Sequence, residues 1–208
     1  MYRPRNFAID DLETLHAAIR ARVFMTLAIL HEGRIAFAYA PVILDVGETG
    51  SMGAIRFHLA KANPVAAHAD GAELFISMTD SDAYVSPDWY ESEGMVPTWN
   101  YIAIEGRGIA RKLDSAGVQA LLVDLSAQEE KKLAGEKPWT LDKLSEKSLA
   151  AKLQAIDGFS LKFETLRGKF KLSQDKKPAD FAGVVTGLEA RRVAGSSALA
   201  AAMRKQME

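Results

Sequence analysis

Basic and apolar residues alternate in the stretch RFHLAKANP, residues 56–64. In a β-strand, successive side chains point to opposite faces, so the apolar residues here are predicted to face a core. The residues left on or just beyond the other face are Arg56, His58 and Lys61. Such donors suit an anion such as phosphate. A solvated strand face followed by a turn is the alternative explanation.

A second stretch, KFKLSQ, repeats this pattern near the other end of the chain. Lys169, Lys171 and Ser173 alternate with two apolar residues, and two cations with a hydroxyl can hold a phosphate. Lysines are also common on exposed sheet edges, where they discourage pairing between molecules. Taken alone, the stretch favours the edge explanation.

Aromatic residues are concentrated between positions 84 and 101, in YVSPDWY and VPTWNY. Their polar atoms suit a flat ligand or a subunit interface, where one edge of the ring is buried and the other makes hydrogen bonds. A small hydrophobic core under a long loop would use the same residues. The pattern leaves both possibilities open.

Composition excludes several classes of protein. The 208 residues carry 26 basic and 27 acidic side chains, so no overall positive charge attracts nucleic acid or an anionic membrane. The chain has no cysteine, which excludes disulfides and thiolate metal sites and makes the cytoplasm the expected compartment. We expect neither a secretion signal nor a membrane span, because the apolar runs are short and interrupted.

The elements that must position these residues begin with a short amphipathic helix after Asp10 or Asp11, followed by a hairpin that turns at HEGR. The RFHLA stretch is then a third strand and AELFISMT a fourth. A long bent strand, IAIEGRGIARKL, follows the aromatic loop, with glycines that permit a bulge. Short strands with short links predict a mainly β fold with helices, of the α+β class, built on a barrel.

Helical periodicity begins at Ser115, and Pro138 suits the start of a further helix. A last extended piece precedes two carboxyl-terminal helices. We predict a single domain over residues 1–208. Its barrel core covers about 20–113 plus 157–174, and its helices cover about 115–155 and 178–207.

Standard catalytic motifs are missing. The chain has no GxGxxG after a strand, no Walker loop, no HExxH and no GxSxG, and its four histidines show no metal-ligand spacing. No metal site is predicted and no catalytic residue can be named. A flavoenzyme remains compatible with this, because the flavin itself carries the redox chemistry.

Six short motifs, taken together and in order, resemble the PaiB-type FMN-binding negative transcriptional regulators. They are MYRPRNF, HLAKANP, YVSPDWY, VPTWNY, a PW pair after the acidic helix, and KFKLSQ. The resemblance covers nearly the whole chain. It implies a split β-barrel related to the pyridoxamine-phosphate-oxidase-like flavoproteins, which form homodimers and bind FMN at the subunit interface.

By the same resemblance, the outward face of the third strand forms part of the cofactor site. Lys61 is expected at the FMN phosphate, where the family more often has arginine. The other residues that the resemblance carries to the cofactor site or the dimer interface are Arg56, His58, Asn63, Trp99, Asn100, Tyr101, Lys171, Ser173 and Gln174.

Three positions depart from the family pattern. Asn6 replaces a histidine, Ala38 lacks a hydroxyl, and Asp175 stands where the family has an amide. An acid near a phosphate would repel it, so these departures predict weaker or altered FMN binding.

The sequence leaves three functions open. The first is an FMN-binding, homodimeric, PaiB-like negative transcriptional regulator. Direct DNA binding and indirect regulation both stay open for it, although neither the charge nor a recognition helix supports direct binding. The second is an FMN-dependent oxidoreductase acting on a small molecule. The third is a binding module for another flat cofactor such as haem.

Overall fold

The computed structural model describes residues 1–48, 50–133, 137–191, 193 and 195–206. The chain divides into two compact units. Unit 1 comprises Met1–Leu15, Thr79–Ile104 and Arg167–Glu208, and unit 2 comprises His16–Met78 and Glu105–Leu166. Each unit is described by itself. The prediction of one domain stays a prediction.

The strands are β1 (Ala8–Ile9), β2 (Phe24–His31), β3 (Arg34–Asp45), β4 (Ala54–Ala60), β5 (Glu73–Val85), β6 (Thr98–Lys112), β7 (Ile156–Lys162) and β8 (Thr165–Lys171). The helices are α1 (Leu12–Ala21), α2 (Pro64–Ala69), α3 (Ser115–Glu130), α4 (Glu146–Gln154), α5 (Pro178–Ala190) and α6 (Ser196–Lys205). Single 3₁₀ turns lie at Arg5–Phe7, Pro87–Trp89 and Leu141–Lys143. Helices and strands both contribute heavily, as the α+β prediction requires.

Unit 2 is built on antiparallel strands in the order β5-β2-β3-β4-β7, with β7 also pairing with β6. The predicted hairpin is confirmed: His31 pairs with Arg34 across a tight turn. Both turn residues have positive φ, 49° at Glu32 and 72° at Gly33, which is the backbone that two-residue hairpin turns require.

Strand β4 carries the centre of the unit 2 core. Ile55, Phe57 and Leu59 are buried, as their alternation with polar residues predicts. Phe57 pairs with Phe159 of β7, and their ring centroids lie 5.5 Å apart. The opposite face of β4 is thereby left to its polar residues.

Unit 1 contains β1 and β8, the carboxyl-terminal part of β5 and the amino-terminal part of β6, in the order β1-β8-β6-β5. One buried cluster joins these strands to α5 and α6. Trp89 packs against this cluster and against α5, where a Cβ at Gly183 or Gly187 would overlap the Trp89 backbone or indole. The small residues on α5 therefore make room for the aromatic loop.

Some predicted boundaries are wrong. The helix expected from Pro138 begins only at Glu146, because the Ser145 hydroxyl accepts a hydrogen bond from the Ser148 amide and caps α4 there. Strand β5 continues to Val85, beyond the predicted AELFISMT. The last extended piece forms two strands, β7 and β8. Residues 134–136 and positions 192, 194 and 207, which fall within the predicted helical ranges, lie outside the described residues.

None of the described helices is both long enough and apolar enough to cross a bilayer.

Candidate functional site

The polar face of β4 lies against α3, and Arg56 connects the two. Its Nε and Nη2 atoms donate to the two carboxylate oxygens of Asp45 at 2.6 and 2.8 Å, and Nη2 also donates to Asp124 of α3 at 2.8 Å. Hydrogen bonding to Asp45 raises the pKa of the guanidinium. Arg56 therefore holds α3 and the end of β3 together, and its assignment to FMN stays a prediction.

His58 follows Arg56 on the same face and lines a cavity of about 330 Å³ with Ser126 and Glu129 of α3. Its Nδ1 atom is buried and has no hydrogen-bond partner within the described ranges. Burial lowers the pKa of the imidazole, so the ring is neutral at pH 7. His58 can therefore donate or accept one further hydrogen bond.

Lys61 lies just beyond β4, at a cavity of about 430 Å³ that Lys112 and Ser115 also line. Its side chain is exposed and has no ion pair or hydrogen bond with any described residue. Lys112 is paired with Asp157 at 2.9 Å, which neutralises the carboxylate beside the cavity. The Lys61 ammonium and the Ser115 hydroxyl are groups that bind a phosphate. The first turn of α3 is already capped by Asp114, whose carboxylate accepts from the Gly117 amide at 2.7 Å.

The side chain of Asn63 has a local structural task. Its Oδ1 accepts from the Val65 amide at 2.9 Å and caps α2, whose first residue is Pro64. The amide nitrogen of Asn63 is left for another partner. Its role toward FMN stays a prediction.

In unit 1, Lys171 of β8 is held at the beginning of β6. Its ammonium donates to the Thr98 hydroxyl and to the Trp99 carbonyl, each at 2.6 Å. Burial lowers the pKa of this ammonium. Two of its three donors are thus committed to the protein.

Asn100 and Ser173 meet in the interior of unit 1. The Asn100 amide nitrogen donates to the Ser173 hydroxyl at 2.8 Å and contacts the Met203 sulfur of α6 at 3.7 Å. Its Oδ1 is buried and lacks a partner among the residues described. Ser173 has a positive φ of 61°, which is unusual for a residue with a side chain. Because α6 covers Asn100, this acceptor is not presented at the surface.

The side chain of Gln174 makes hydrogen bonds to the backbone at the end of β8. Its side-chain oxygen accepts from the Leu172 amide at 2.7 Å, and its nitrogen donates to the Phe170 carbonyl at 2.6 Å. Hydrogen bonds within the protein therefore account for three polar side chains of the KFKLSQ motif, those of Lys171, Ser173 and Gln174. Their assignment to the cofactor or the dimer interface stays a prediction.

Aromatic and cationic side chains alternate across β6 and β8 of unit 1. The rings of Trp99 and Tyr84 meet edge to face, with centroids 6.2 Å apart. The Lys169 ammonium lies 5.2 Å from the Tyr101 ring and 5.5 Å from the Tyr2 ring. Lys169 is buried. The KFK alternation marked it as a possible phosphate ligand, but the family resemblance did not carry it to the cofactor site.

The ten predicted residues fall in both units. Arg56, His58, Lys61 and Asn63 belong to unit 2, and Trp99, Asn100, Tyr101, Lys171, Ser173 and Gln174 belong to unit 1. Within unit 2, the structure adds Lys112 and Ser115 beside Lys61. The sequence contained a signal for both residues, because Lys112 lies at the end of the predicted long strand and Ser115 begins the helical pattern that follows it.

An apolar sheet face covers the outer side of β2, β3 and β5 in unit 2. Across these strands Leu30 pairs with Ile35, and Ala28 pairs with both Phe37 and Phe75, so these side chains share one face. The large exposed side chains of this apolar sheet face are Phe24, Leu30, Ile35, Phe37, Tyr39 and Phe75. Phe37 is 57% exposed and Ile35 is 64% exposed.

The three departures from the family pattern have different surroundings. Ala38 is buried on the inner face of β3, where it pairs with Leu27. Asp175 lies 3.3 Å from the Lys176 ammonium, and Asn6 is an exposed residue in a 3₁₀ turn.

No cluster of three or more potential metal ligands occurs in the part of the chain that the structure describes.

Comparisons with known proteins identify relatives. Residues 1–165 match the model of the family described as "Putative FMN-binding domain". Protease synthase and sporulation protein PAI 2 of Bacillus subtilis is 29% identical over 190 residues, which cover 91% of this chain and 89% of that protein.

Solved structures show the same fold at low identity. The flavocytochrome Anf3 of Azotobacter vinelandii gives a TM-score of 0.60 at 15% identity and covers 88% of this chain and 78% of its own. The FAD and haem binding protein of Mycobacterium smegmatis gives 0.58 at 16% identity and covers 84% and 78%. The predicted α+β split β-barrel with flanking and carboxyl-terminal helices is confirmed.

We predict that His58 makes the stability of the protein sensitive to mild acid. Its folded pKa lies below the ordinary value of 6.5, so the unfolded chain binds the proton more tightly. Stability contributed by the neutral ring is therefore present above about pH 6.5 and is lost as the pH falls toward the folded pKa, by at most about 1.4 kcal/mol per pH unit.

Urea unfolding of the wild type and of His58→Gln, measured from about pH 5 to about pH 8, checks this prediction. Glutamine remains neutral over that range, so the difference between the two proteins isolates His58. Parallel curves for the two proteins would contradict it.

Proposed function

The chain belongs to the family of FMN-binding domains, and from this premise we propose that it works as an FMN-binding homodimer with a regulatory role. FMN is the cofactor that corresponds to this family. The observation that carries the proposed site is the unpaired Lys61 ammonium at a cavity also lined by Ser115, at the beginning of α3. An ammonium and a hydroxyl are donors that a phosphate can accept.

The residues around Lys61 fit the phosphate end of FMN. Lys61 supplies a charge that no described carboxylate neutralises, and Ser115 supplies a hydroxyl. Asp157 would oppose an anion, but its pairing with Lys112 reduces that repulsion. Lysine acts there as a point charge, without the two-pronged geometry of arginine.

By the family resemblance, Trp99 and Tyr101 of unit 1 remain predicted contacts of the isoalloxazine ring. Trp99 is 53% exposed, and its edge-to-face contact with Tyr84 leaves much of its surface available to a flat ligand. Lys171 fixes the Trp99 backbone. Bound FMN would supply one- and two-electron redox chemistry, while these residues would bind and orient it.

The apolar sheet face supports the proposed homodimer. Soluble monomers rarely expose several adjacent large apolar side chains, and a pairing of two identical faces would remove them from water. Ala38 stands where the family has a residue with a hydroxyl group. It does not interrupt this face, because its side chain is buried on the opposite side of β3. The face carries the proposal of a symmetric interface.

A regulatory role is supported by the likeness to the PAI 2 protein, which is named a protease synthase and sporulation protein. The net charge of -1 argues against direct DNA binding as the means. We therefore propose negative regulation of the PaiB type that acts indirectly. The cysteine-free composition is consistent with a cytoplasmic protein.

Removing the Lys61 ammonium is expected to weaken FMN binding. We expect Lys61→Ala to lower the affinity for FMN by about 1–3 kcal/mol, which is the usual effect of losing a charge-assisted hydrogen bond. Fluorescence titration of apoprotein with FMN measures it. Lys205→Ala, which removes an exposed lysine from α6, is the matched control. A Lys61→Ala protein with wild-type affinity would remove Lys61 from the phosphate site.

Placing a charge on the apolar sheet face is expected to separate the subunits. We expect Phe37→Asp to weaken dimerisation by about 100-fold or more, because an unpaired carboxylate would be buried in the interface. Light scattering over a range of concentrations measures the mass, and circular dichroism checks the fold. Val96→Asp, at another exposed apolar residue, should leave the dimer intact. If Phe37→Asp keeps the dimeric mass, the interface lies elsewhere.

The regulatory role and the alternative oxidoreductase predict different results for the same holoprotein. We expect FMN in the absorption spectrum, no sustained turnover of NADH or NADPH with an electron acceptor, and no salt-sensitive retention of a selected DNA fragment. Sustained turnover would favour the oxidoreductase. Selective retention of DNA would show that regulation is direct.

A further inference from the structure

A cavity of about 860 Å³ lies in unit 2 between α3, α4 and the segment 138–144. We call it the α3 cavity. Its volume is within the range of small-molecule sites in proteins. None of the ten residues assigned to FMN or the dimer interface lines it. The proposed function therefore leaves this cavity unexplained.

The wall of the α3 cavity that carries Trp139 is held by one hydrogen bond to α3 and by one within the segment 138–144. The Trp139 amide donates to the Glu130 carboxylate at 2.9 Å, and the Lys143 ammonium donates to the Pro138 carbonyl at 2.9 Å. The Trp139 side chain nevertheless remains 39% exposed. A preformed wall that presents an indole to solvent is suited to bind an apolar or aromatic body.

The charged groups around the cavity favour a cation. Among the described residues that line it, Glu130, Asp142 and Glu146 carry carboxylates and Lys131 carries an ammonium. The Lys143 ammonium is already bound to the Pro138 carbonyl. Only one oxygen of Glu130 is used by the Trp139 amide. An ammonium group can bind both to the remaining carboxylate oxygens and to the face of an indole.

The smaller cavity of His58 adjoins the same part of α3, since Ser126 and Glu130 line both cavities. The unpartnered Nδ1 of His58 lies buried there. A neutral imidazole adds no positive charge that would repel a cation. The carboxylate of Glu130 and an unprotonated Nδ1 of His58 can each accept a hydrogen bond from an ammonium group.

We propose that the α3 cavity binds a small organic cation, with its ammonium at Glu130 and its apolar body against Trp139. The site is separate from the proposed phosphate cavity, whose lining residues it does not share. It is therefore a second ligand site on the chain, and it does not depend on the proposed FMN site.

Two ligands of nearly the same shape and opposite charge test this proposal. We expect calorimetry to show tryptamine binding to the purified full-length protein, with and without added FMN, with a Kd of about 1 mM or tighter, and indole-3-acetate binding at least about tenfold more weakly. Equal binding of the two ligands, or no binding of tryptamine at about 10 mM, would overturn it.

Variants locate the binding. Glu130→Gln keeps an acceptor for the Trp139 amide but removes the charge, so we expect it to weaken tryptamine binding by about tenfold. Trp139→Ala should weaken it at least as much, and Asp142→Asn less. Glu164→Gln, which removes an exposed carboxylate outside the cavity, is the control. Binding that persists in both Glu130→Gln and Trp139→Ala would place tryptamine elsewhere and overturn the proposal.

Two further measurements keep the result interpretable. Thermal midpoints show whether each variant is folded, and if Trp139→Ala is not, Trp139→Phe replaces it. FMN titration of Glu130→Gln should match the wild type, because the two sites are separate. If Glu130→Gln loses tryptamine binding and keeps FMN binding, the second site is supported. If neither the wild type nor any variant binds FMN, only the proposed function is contradicted.

Discussion

The contact of Arg56 with Asp45 and Asp124 joins α3 to the sheet of unit 2, beside the buried cluster that Leu121 and Leu125 of α3 form with Ile43 of β3. A guanidinium with both carboxylates within 2.8 Å is a strong, directional connection, and its side chain is only 19% exposed. Removing one partner of such a partly buried network leaves the others without compensation. Every cavity discussed above is lined in part by α3. The shape of these three cavities therefore depends in part on this ionic contact.

Alternation along a strand was the feature of the sequence that predicted structure best. It correctly placed Ile55, Phe57 and Leu59 in the core. A shift of the strand by one residue would turn these apolar side chains to the opposite face, so their burial fixes the register. It could not show what covers the opposite face, since Arg56 finds Asp124 68 positions later in the chain. A donor cluster read from a single strand is for this reason compatible with both an anion site and a structural ion pair.

The same limitation explains the second motif. KFKLSQ suggested phosphate ligands, yet Gln174 bonds to its own strand, Lys171 bonds to β6, and Ser173 bonds to Asn100. Local hydrogen bonds of this kind compete for the same polar groups that a ligand would use. The signal for the apolar sheet face, by contrast, was present in VFMTLAIL, which is apolar on both sides of the strand. One side fills the core, and the other leaves a surface that needs a partner.

The two ligand sites argued for in unit 2 contact different parts of α3. Ser115 and Val118 line the proposed phosphate cavity, whereas Val123 and Ala127 line the α3 cavity. A helix of 16 residues is rigid over its length of about 24 Å, so a displacement at one end is transmitted to the other. Since Arg56 ties α3 to the sheet near its middle, at Asp124, that contact sets how far the helix can move. Any influence of one ligand on the affinity for the other must be reciprocal, and α3 is the element through which both would act.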